Sequence, residues 1–171
     1  MDTLDSLRIL AGYNRWMNDK LYVLCRALTD AERKLDRKAF FGSIHGTLNH
    51  LLLTDCGWLS RFHGQPWPFG SLDEILFPDF GEMRRERAAT DQAINEFVAR
   101  LTEKRMAAPF TYQNMAGKTF THPLGPALLQ LFHHQTHHRG QVTTLLSQAG
   151  INPGVTDVIA FYREQVQPPV T

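Results

Sequence analysis

Apolar residues recur at intervals of three and four along most of the chain, which is the period of an amphipathic α-helix. In the first segment, for example, Leu4, Leu7, Leu21 and Cys25 fall on one face. The pattern predicts four long helices, over residues 3–28, 43–63, 80–104 and 125–149. The third predicted helix has only a narrow apolar stripe, which indicates that one of its faces is exposed to solvent. Its run Arg84-Arg85-Glu86-Arg87 is therefore interpreted as a solvated surface.

Capping motifs predict further helix starts. Thr29-x-x-Glu32 and Ser71-x-x-Glu74 both match the capping box, in which two side chains bind the free backbone N–H groups of a helix start. A last short helix is predicted to begin at Thr156 or Asp157 and to end near Glu164.

The helical period is lost between Phe110 and His122, where aromatic residues and threonines indicate an extended, hairpin-like connection that turns over residues 114–117. With four long helices and no larger sheet, the expected class is all-α. We predict an up-down four-helix bundle with a short hairpin-like connection before the last long helix and a short C-terminal helix. Without a long linker, residues 1–171 are expected to form a single domain.

The composition of the chain argues against several classes of protein and binding partner. Of 171 residues, 18 are Lys or Arg and 17 are Asp or Glu, and this balance argues against nucleic-acid binding. The lack of an apolar run of 18 residues or more argues against a membrane span. An acidic N-terminus without a signal-peptide plan makes a cytoplasmic location the expectation. Two cysteines are too few for a disulfide framework.

Four of the eight histidines lie within residues 133–138. Residues four apart are stacked on a helix, so His133/His137 or His134/His138 could share a metal ion. At about 100° per residue, His134 and His138 fall in the apolar arc of their helix and the other pair on the opposite side. A lone histidine on an apolar face is usually a hydrogen-bonded core residue. Two inward histidines in adjacent turns instead favour a metal, because each brings polar nitrogens into a low-dielectric core.

A third ligand is expected from the second long helix, and the candidates are His45, His50 and Asp55. Their positions on the helix do not decide among them, because this helix is apolar nearly all round.

Three stretches together resemble the DinB family, the small damage-inducible helical-bundle family rather than the DNA polymerase that shares its name. They are Tyr13-Asn14-Arg15-Trp16, Gly46-Thr47-Leu48-Asn49-His50-Leu51-Leu52-x-x-Asp55-x-x-Trp58 and His134-x-x-x-His138-Arg139-Gly140-Gln141. The resemblance extends to Thr156-Asp157-x-x-x-Phe161-x-Arg163-Glu164. It implies a four-helix bundle, a homodimer, and a divalent metal held by His50, His134 and His138. Related proteins resemble metal-dependent transferases and isomerases that use low-molecular-weight thiols such as bacillithiol or mycothiol.

The resulting functional prediction is a divalent-metal-dependent enzyme of thiol S-transferase type, or a hydrolase, acting on a small-molecule substrate. Imidazole ligands suit Zn, Ni or Fe, among other metals. Asp55 and Arg139 are the candidate catalytic residues and Gln141 is a further candidate near the metal. The alternative interpretation of Asp55 is an ion pair between two helices. The alternative interpretation of Arg139 is an ion pair at the surface or between subunits. The alternative function is a non-enzymatic, stress-related, metal-binding homodimeric bundle. A di-metal carboxylate bundle is disfavoured because Glu-x-x-His repeats are missing.

Overall fold

The structure is a computed structural model that describes residues 1–166. This part of the chain contains seven helices and one two-stranded hairpin. In chain order they are α1 Thr3–Cys25, α2 Asp30–Lys34, α3 Ile44–Phe62, α4 Phe80–Ala99, α5 Glu103–Ala107, β1 Pro109–Gln113, β2 Thr119–Pro123, α6 Leu124–Gln148 and α7 Val158–Val166. Residues 167–171 of the predicted domain lie outside the described residues. No helix within residues 1–166 has the length and apolar character needed to span a bilayer.

The four long helices form a closed ring in which α1 packs on α4, α4 on α3, α3 on α6 and α6 on α1. One apolar cluster joins the start of α1 and the start of α6 to the ends of α3 and α4. A second cluster joins the opposite ends of the same helices. The predicted all-α four-helix bundle is thus confirmed. The clusters add that α3 and α4 run parallel, so that the helix directions are up, down, down and up rather than strictly alternating.

Local chemistry explains where the helices begin. Asp2, Ser43 and Asp79 each accept a hydrogen bond from a backbone N–H in the first turn of α1, α3 and α4. The predicted capping box of Thr29 and Glu32 is present and opens α2. The third long helix is shorter than predicted, because Arg100 and Leu101 leave it and the side chain of Thr102 caps a separate helix, α5.

The helix predicted from Ser71 and Glu74 is wrong, because residues 71–79 are irregular. Their backbone groups bind α3 instead. The Asn49 side chain accepts hydrogen bonds from the N–H groups of Leu76 at 2.8 Å and Phe77 at 3.3 Å, and it donates to the carbonyl of Glu74. The segment therefore lies along α3 as an ordered strap, which we call the α3 strap.

The predicted hairpin is confirmed. Strands β1 and β2 pair antiparallel with Phe110 opposite His122, and the turn includes Gly117 at a φ of 76°. Phe110 is buried in the bundle end that contains the start of α6. The hairpin consequently covers that end of the core.

A layer of buried polar side chains separates the two apolar clusters. Its centre is Arg87, whose guanidinium pairs with Asp55 at 2.8 Å and with Asp91 at 2.9 Å. Asn14 and Asn18 of α1 donate to Asp91. The interpretation of residues 84–87 as a solvated face is therefore wrong for Arg87, which is only 3% exposed. Its carboxylate partners come from two helices, which makes the burial of its charge possible.

Candidate metal site

The antiparallel packing of α3 on α6 brings three histidine rings together. His50 comes from α3, and His134 and His138 come from successive turns of α6. One ring nitrogen of each lies within 4.8 Å of the corresponding nitrogens of the other two. The Nε2 atoms of His50 and His134 are 3.2 Å apart, and the ring centroids of His134 and His138 are 4.4 Å apart. This is the cluster that the α6 spacing and the family resemblance predict.

The Nδ1 atom of each ring faces an acceptor on the outer side of the cluster. His50 Nδ1 donates to the Leu72 carbonyl oxygen at 2.7 Å, and His138 Nδ1 donates to Gln141 Oε1 at 2.8 Å. The hydroxyl of Thr54 donates to the His50 carbonyl at 2.9 Å, so its oxygen is free to accept from His134 Nδ1 at 3.4 Å. A proton on every Nδ1 leaves every Nε2 with a free lone pair.

These Nε2 atoms fit a divalent metal. Imidazole nitrogens bind zinc at roughly 2.0–2.1 Å, so two of them in a tetrahedral site lie about 3.3 Å apart. The observed 3.2 Å between His50 and His134 matches that separation. In the tautomers that the outer acceptors favour, the lone pairs of these two atoms face each other, and a cation between them would remove their repulsion. Outer hydrogen bonds of this kind fix the tautomer and orientation of metal-binding histidines.

Burial keeps the three imidazoles neutral. Loss of solvation lowers the pKa of His50 to about 4 and, together with the neighbouring His138 and His50 rings, lowers the pKa of His134 to about 3. Burial also lowers the pKa of His138. Neutral imidazole is the form that binds metal, so the cluster is ready to coordinate a cation at neutral pH without first losing protons.

An aromatic wall closes one side of the cluster. The ring of Phe41 stacks on His50, with centroids 3.7 Å apart and planes 18° apart, and it lies in an edge-to-face arrangement with His138 at a centroid distance of 5.5 Å. Its neighbour Phe40 is 86% exposed. Because His134 is only half-buried while His50 and His138 are buried, the cluster lies just beneath the surface.

Comparisons with known proteins identify the family of this chain. The model of the DinB family matches residues 3–169. The chain belongs to the DinB family. It is 25% identical over 157 residues to the protein named DinB of Bacillus subtilis strain 168, covering 86% of this chain and 88% of the relative. A crystal structure of a DinB-like protein from Bacillus cereus matches with a TM-score of 0.59 at 22% identity, covering 81% of this chain and 90% of that one. At this identity the structural match shows the fold alone.

In this DinB-family chain, the orientation predicted for the α6 histidines is confirmed. His138 is buried and His134 half-buried, whereas His133 and His137 are exposed. On α3 the structure brings His50, and not His45, to the cluster. His45 is also buried, but its Nε2 lies 2.9 Å from the carbonyl oxygen of Phe77 in the α3 strap.

The two candidate catalytic residues lie in the buried polar layer. Asp55 forms the ion pair with Arg87 that joins α3 to α4, which was the alternative considered for it. Arg139 is 3% exposed, so the alternative of a surface ion pair is wrong. Its guanidinium hydrogen-bonds Asn14 and Gln135 and lies 5.2 Å from the centroid of the Tyr13 ring. Burial lowers the pKa of Arg139 to about 10, so it remains charged at neutral pH. A catalytic role for either residue stays a prediction.

Sequence reasoning missed two contributors to the cluster, Thr54 and Phe41. Thr54 follows His50 by one helical turn and shares its face of α3, so the i, i+4 spacing could have found it. Phe41 precedes α3 in an irregular segment, and the sequence carries no signal of where its ring packs.

The outer hydrogen bond to His138 gives a direct test of the cluster. Gln141→Leu removes the acceptor of Nδ1 and is expected to weaken Zn²⁺ binding by about 10- to 100-fold, the usual effect of losing such a partner. Gln141→Glu keeps an acceptor and should retain near-normal affinity. Gln148→Leu, on the exposed end of the same helix, is the matched control. Equal Zn²⁺ affinity of Gln141→Leu and wild type in a competitive chelator titration would contradict the assigned hydrogen bond.

Proposed function

We propose that this DinB-family chain is a divalent-metal-dependent enzyme of thiol S-transferase type that acts on a small electrophilic substrate. The observation that carries the proposal is the convergence of the three imidazole rings, whose Nδ1 atoms each face an outer acceptor that favours the metal-binding tautomer. Catalytic zinc sites typically have three protein ligands and one open position, whereas structural zinc sites have four protein ligands.

The chain's own residues would bind the ion through His50, His134 and His138, and Leu72, Thr54 and Gln141 would fix the ring orientations. When bound, a divalent ion supplies a Lewis acid that lowers the pKa of a thiol or of water. Phe41 shields one side of the cluster from water, which strengthens electrostatic interactions there. In the reaction, the thiol sulfur forms a bond to the electrophilic carbon, the leaving group departs with its electron pair, and the thiol proton passes to solvent.

We propose a positioning role for Asp55 and Arg139, the two catalytic candidates. Arg139 follows His138 directly in α6, and its hydrogen bond to Asn14 ties this turn of the helix to α1, while its second hydrogen bond, to Gln135, lies within α6. Asp55 follows Thr54 directly in α3, and its ion pair with Arg87 ties that turn to α4. Both residues would thus hold the histidine-bearing turns in place from the buried layer.

The experiment is a matrix of thiols and electrophiles with metal-loaded, untagged protein. Bacillithiol, mycothiol and cysteine are each combined with an aryl halide and an epoxide in the presence of Zn²⁺, Ni²⁺ or Fe²⁺. We expect turnover above the uncatalysed rate with one thiol, and its loss after chelation. Turnover that survives complete removal of the metal would count against the transferase proposal. So would the absence of turnover with every combination of thiol, electrophile and metal.

A second candidate function is a non-enzymatic, metal-stabilised bundle, as expected for a stress-related protein. One observation favours it: the ligands lie on two helices, so that an ion would crosslink α3 to α6. Both functions predict that chelation lowers the thermal midpoint, because an ion that binds only the folded state adds about 4 kcal/mol at a thousandfold excess over its Kd. Thermal scans with and without a chelator measure this shift. A large shift without turnover identifies the structural function, and an unchanged midpoint contradicts both.

The predicted homodimer is also retained as a proposal. Its support is a row of exposed apolar side chains on α7 and just before it, Val155, Val158, Ile159 and Tyr162. Light scattering should give a mass about twice the 19.5 kDa of one chain, and Ile159→Glu, which places a charge in this row, should reduce it to the monomer value. A monomeric wild type would contradict the proposal.

A further inference from the structure

A cavity separate from the histidine cluster lies between the hairpin and the loop that follows α3. Its volume is about 570 Å³, within the range of small-molecule pockets. Residues of the loop, including Trp67 and Phe69, form one wall, and Tyr112, Gln113 and Met115 form the other. Arg61 closes the base from the last turn of α3. It lies eleven residues beyond His50, so about 16 Å of helix separates this cavity from the histidine cluster.

Arg61 is a buried cation without an acidic partner. It is 7% exposed and forms no ion pair with any carboxylate of residues 1–166. Its Nη2 donates to the Gln113 carbonyl at 2.8 Å, whereas its Nε has no hydrogen-bond acceptor among the described residues. The indole N–H of Trp67 also lacks an acceptor there. The residues that line the cavity include no Asp or Glu, so its only formal charge is positive.

Three aromatic rings hold the guanidinium. Its central carbon lies 4.4 Å from the ring centroid of Trp67 and 4.9 Å from those of Trp58 and Tyr112. Cation–π contacts orient the group but satisfy none of its N–H donors and do not neutralise its charge. A buried polar cation with unused donors costs free energy that an anionic acceptor would recover.

The aromatic wall depends on the absence of a side chain at position 57. Gly57 lies one helical turn before Arg61, and the indole of Trp67 packs directly on it, so that a Cβ at position 57 would overlap the ring. A hydrogen bond of 2.8 Å from Ser60 Oγ to the Pro66 carbonyl anchors the loop that carries Trp67. The aromatic wall is therefore a consequence of a specific glycine rather than of a loose surface loop.

We propose that this cavity binds a small organic monoanion, a carboxylate carried on a flat aromatic ring. The guanidinium would take the carboxylate, and Trp67, Phe69 and Tyr112 would pack against the ring. One cation surrounded by neutral side chains suits a single negative charge better than a phosphate dianion. This site is independent of the histidine cluster and of the proposed transferase activity.

The test is calorimetric titration of the metal-loaded protein with 1-naphthoate and with its neutral analogue 1-naphthamide. We expect one saturable naphthoate site per chain and at least about tenfold weaker binding of the amide, as expected for loss of a charge-assisted hydrogen bond. Arg61→Gln should weaken naphthoate binding at least about tenfold. Gly57→Ala, which displaces the Trp67 ring and keeps the charge of Arg61, should weaken it as well. The His134→Ala variant should bind naphthoate as the wild type does.

Several results would overturn the proposal. They are no saturable naphthoate binding by the wild type, equal affinity for the amide, and unchanged affinity in a folded Gly57→Ala variant. Loss of naphthoate binding in His134→Ala would assign the ligand to the histidine cluster instead. The first three results do not bear on whether the cluster holds a metal, so failure of this site leaves the proposed function intact.

Discussion

Arg87→Met is expected to destabilise the bundle by about 3–5 kcal/mol, the usual cost of breaking a buried ion pair by removing one partner. The guanidinium of Arg87 is the cation within ion-pair distance of both Asp55 and Asp91, and all three side chains are buried. Without it, two carboxylates remain in a layer enclosed by apolar clusters. For a domain whose total stability is about 5–15 kcal/mol, this loss approaches unfolding. Urea denaturation followed by circular dichroism measures it.

The pH dependence provides a second measurement on the same variant. Burial raises the pKa of Asp55 to about 6 and also raises that of Asp91, even with Arg87 present. Loss of the Arg87 cation raises both pKa values further above those of the unfolded chain. The folded Arg87→Met variant therefore binds more protons than its unfolded form, and its free energy of unfolding falls as pH rises. The difference in free energy of unfolding between wild type and Arg87→Met should therefore be larger at pH 8 than at pH 5.

Arg85→Met is the matched control, because Arg85 is exposed two residues earlier on the same helix and its contact with Glu82 spans 3.8 Å at the surface. We expect it to change stability by less than about 0.5 kcal/mol. Similar stability losses in the two variants, or a deficit of Arg87→Met that shrinks toward pH 8, would contradict the role assigned to the buried layer.

His138→Ala is expected to weaken divalent-metal binding by at least about 100-fold, beyond the loss produced by removing an outer partner. It deletes one of three converging Nε2 atoms and leaves a two-histidine site. His137→Ala is the matched control: His137 is the preceding, exposed residue and is absent from the cluster. Competitive titration against a chromogenic chelator gives both affinities.

Two outcomes would contradict the assignment. One is a His138→Ala variant that binds metal as tightly as wild type. The other is a His137→Ala variant that loses metal to the same degree, which would indicate that the exposed pair on α6 binds the ion adventitiously.

The histidine pair on α6 was predictable because it depends on one helix alone. The 3.6-residue period relates His134 and His138 to the apolar face through residues of the same segment, and tertiary contacts are not needed to see it. The choice on α3 was different. His45 and His50 are both buried, and the α3 strap binds one at Phe77 and the other at Leu72. Only the family resemblance selected His50, because periodicity cannot locate an irregular strap.

The buried layer was unpredictable for a related physical reason. Arg87 sits in a run of charged residues that is typical of an exposed face, and its burial depends on Asp55 from a different helix. Which helices are neighbours, and which run parallel, is set by connections of 17 or more residues, whose paths hydrophobic patterning does not specify. The long helices and the hairpin were therefore predictable, whereas the irregular α3 strap, the cross-helix pairs and the arrangement of helices were not.

The central claim is that His50, His134 and His138 form one metal site, and elemental analysis of the untagged protein tests it most directly. Purified wild type, dialysed against metal-free buffer, should retain about one divalent ion per chain, and each single alanine variant of the three histidines should retain almost none. The exposed variants His133→Ala and His137→Ala should match wild type. A wild type without metal after loading and dialysis, or full occupancy in any of the three cluster variants, would contradict the claim.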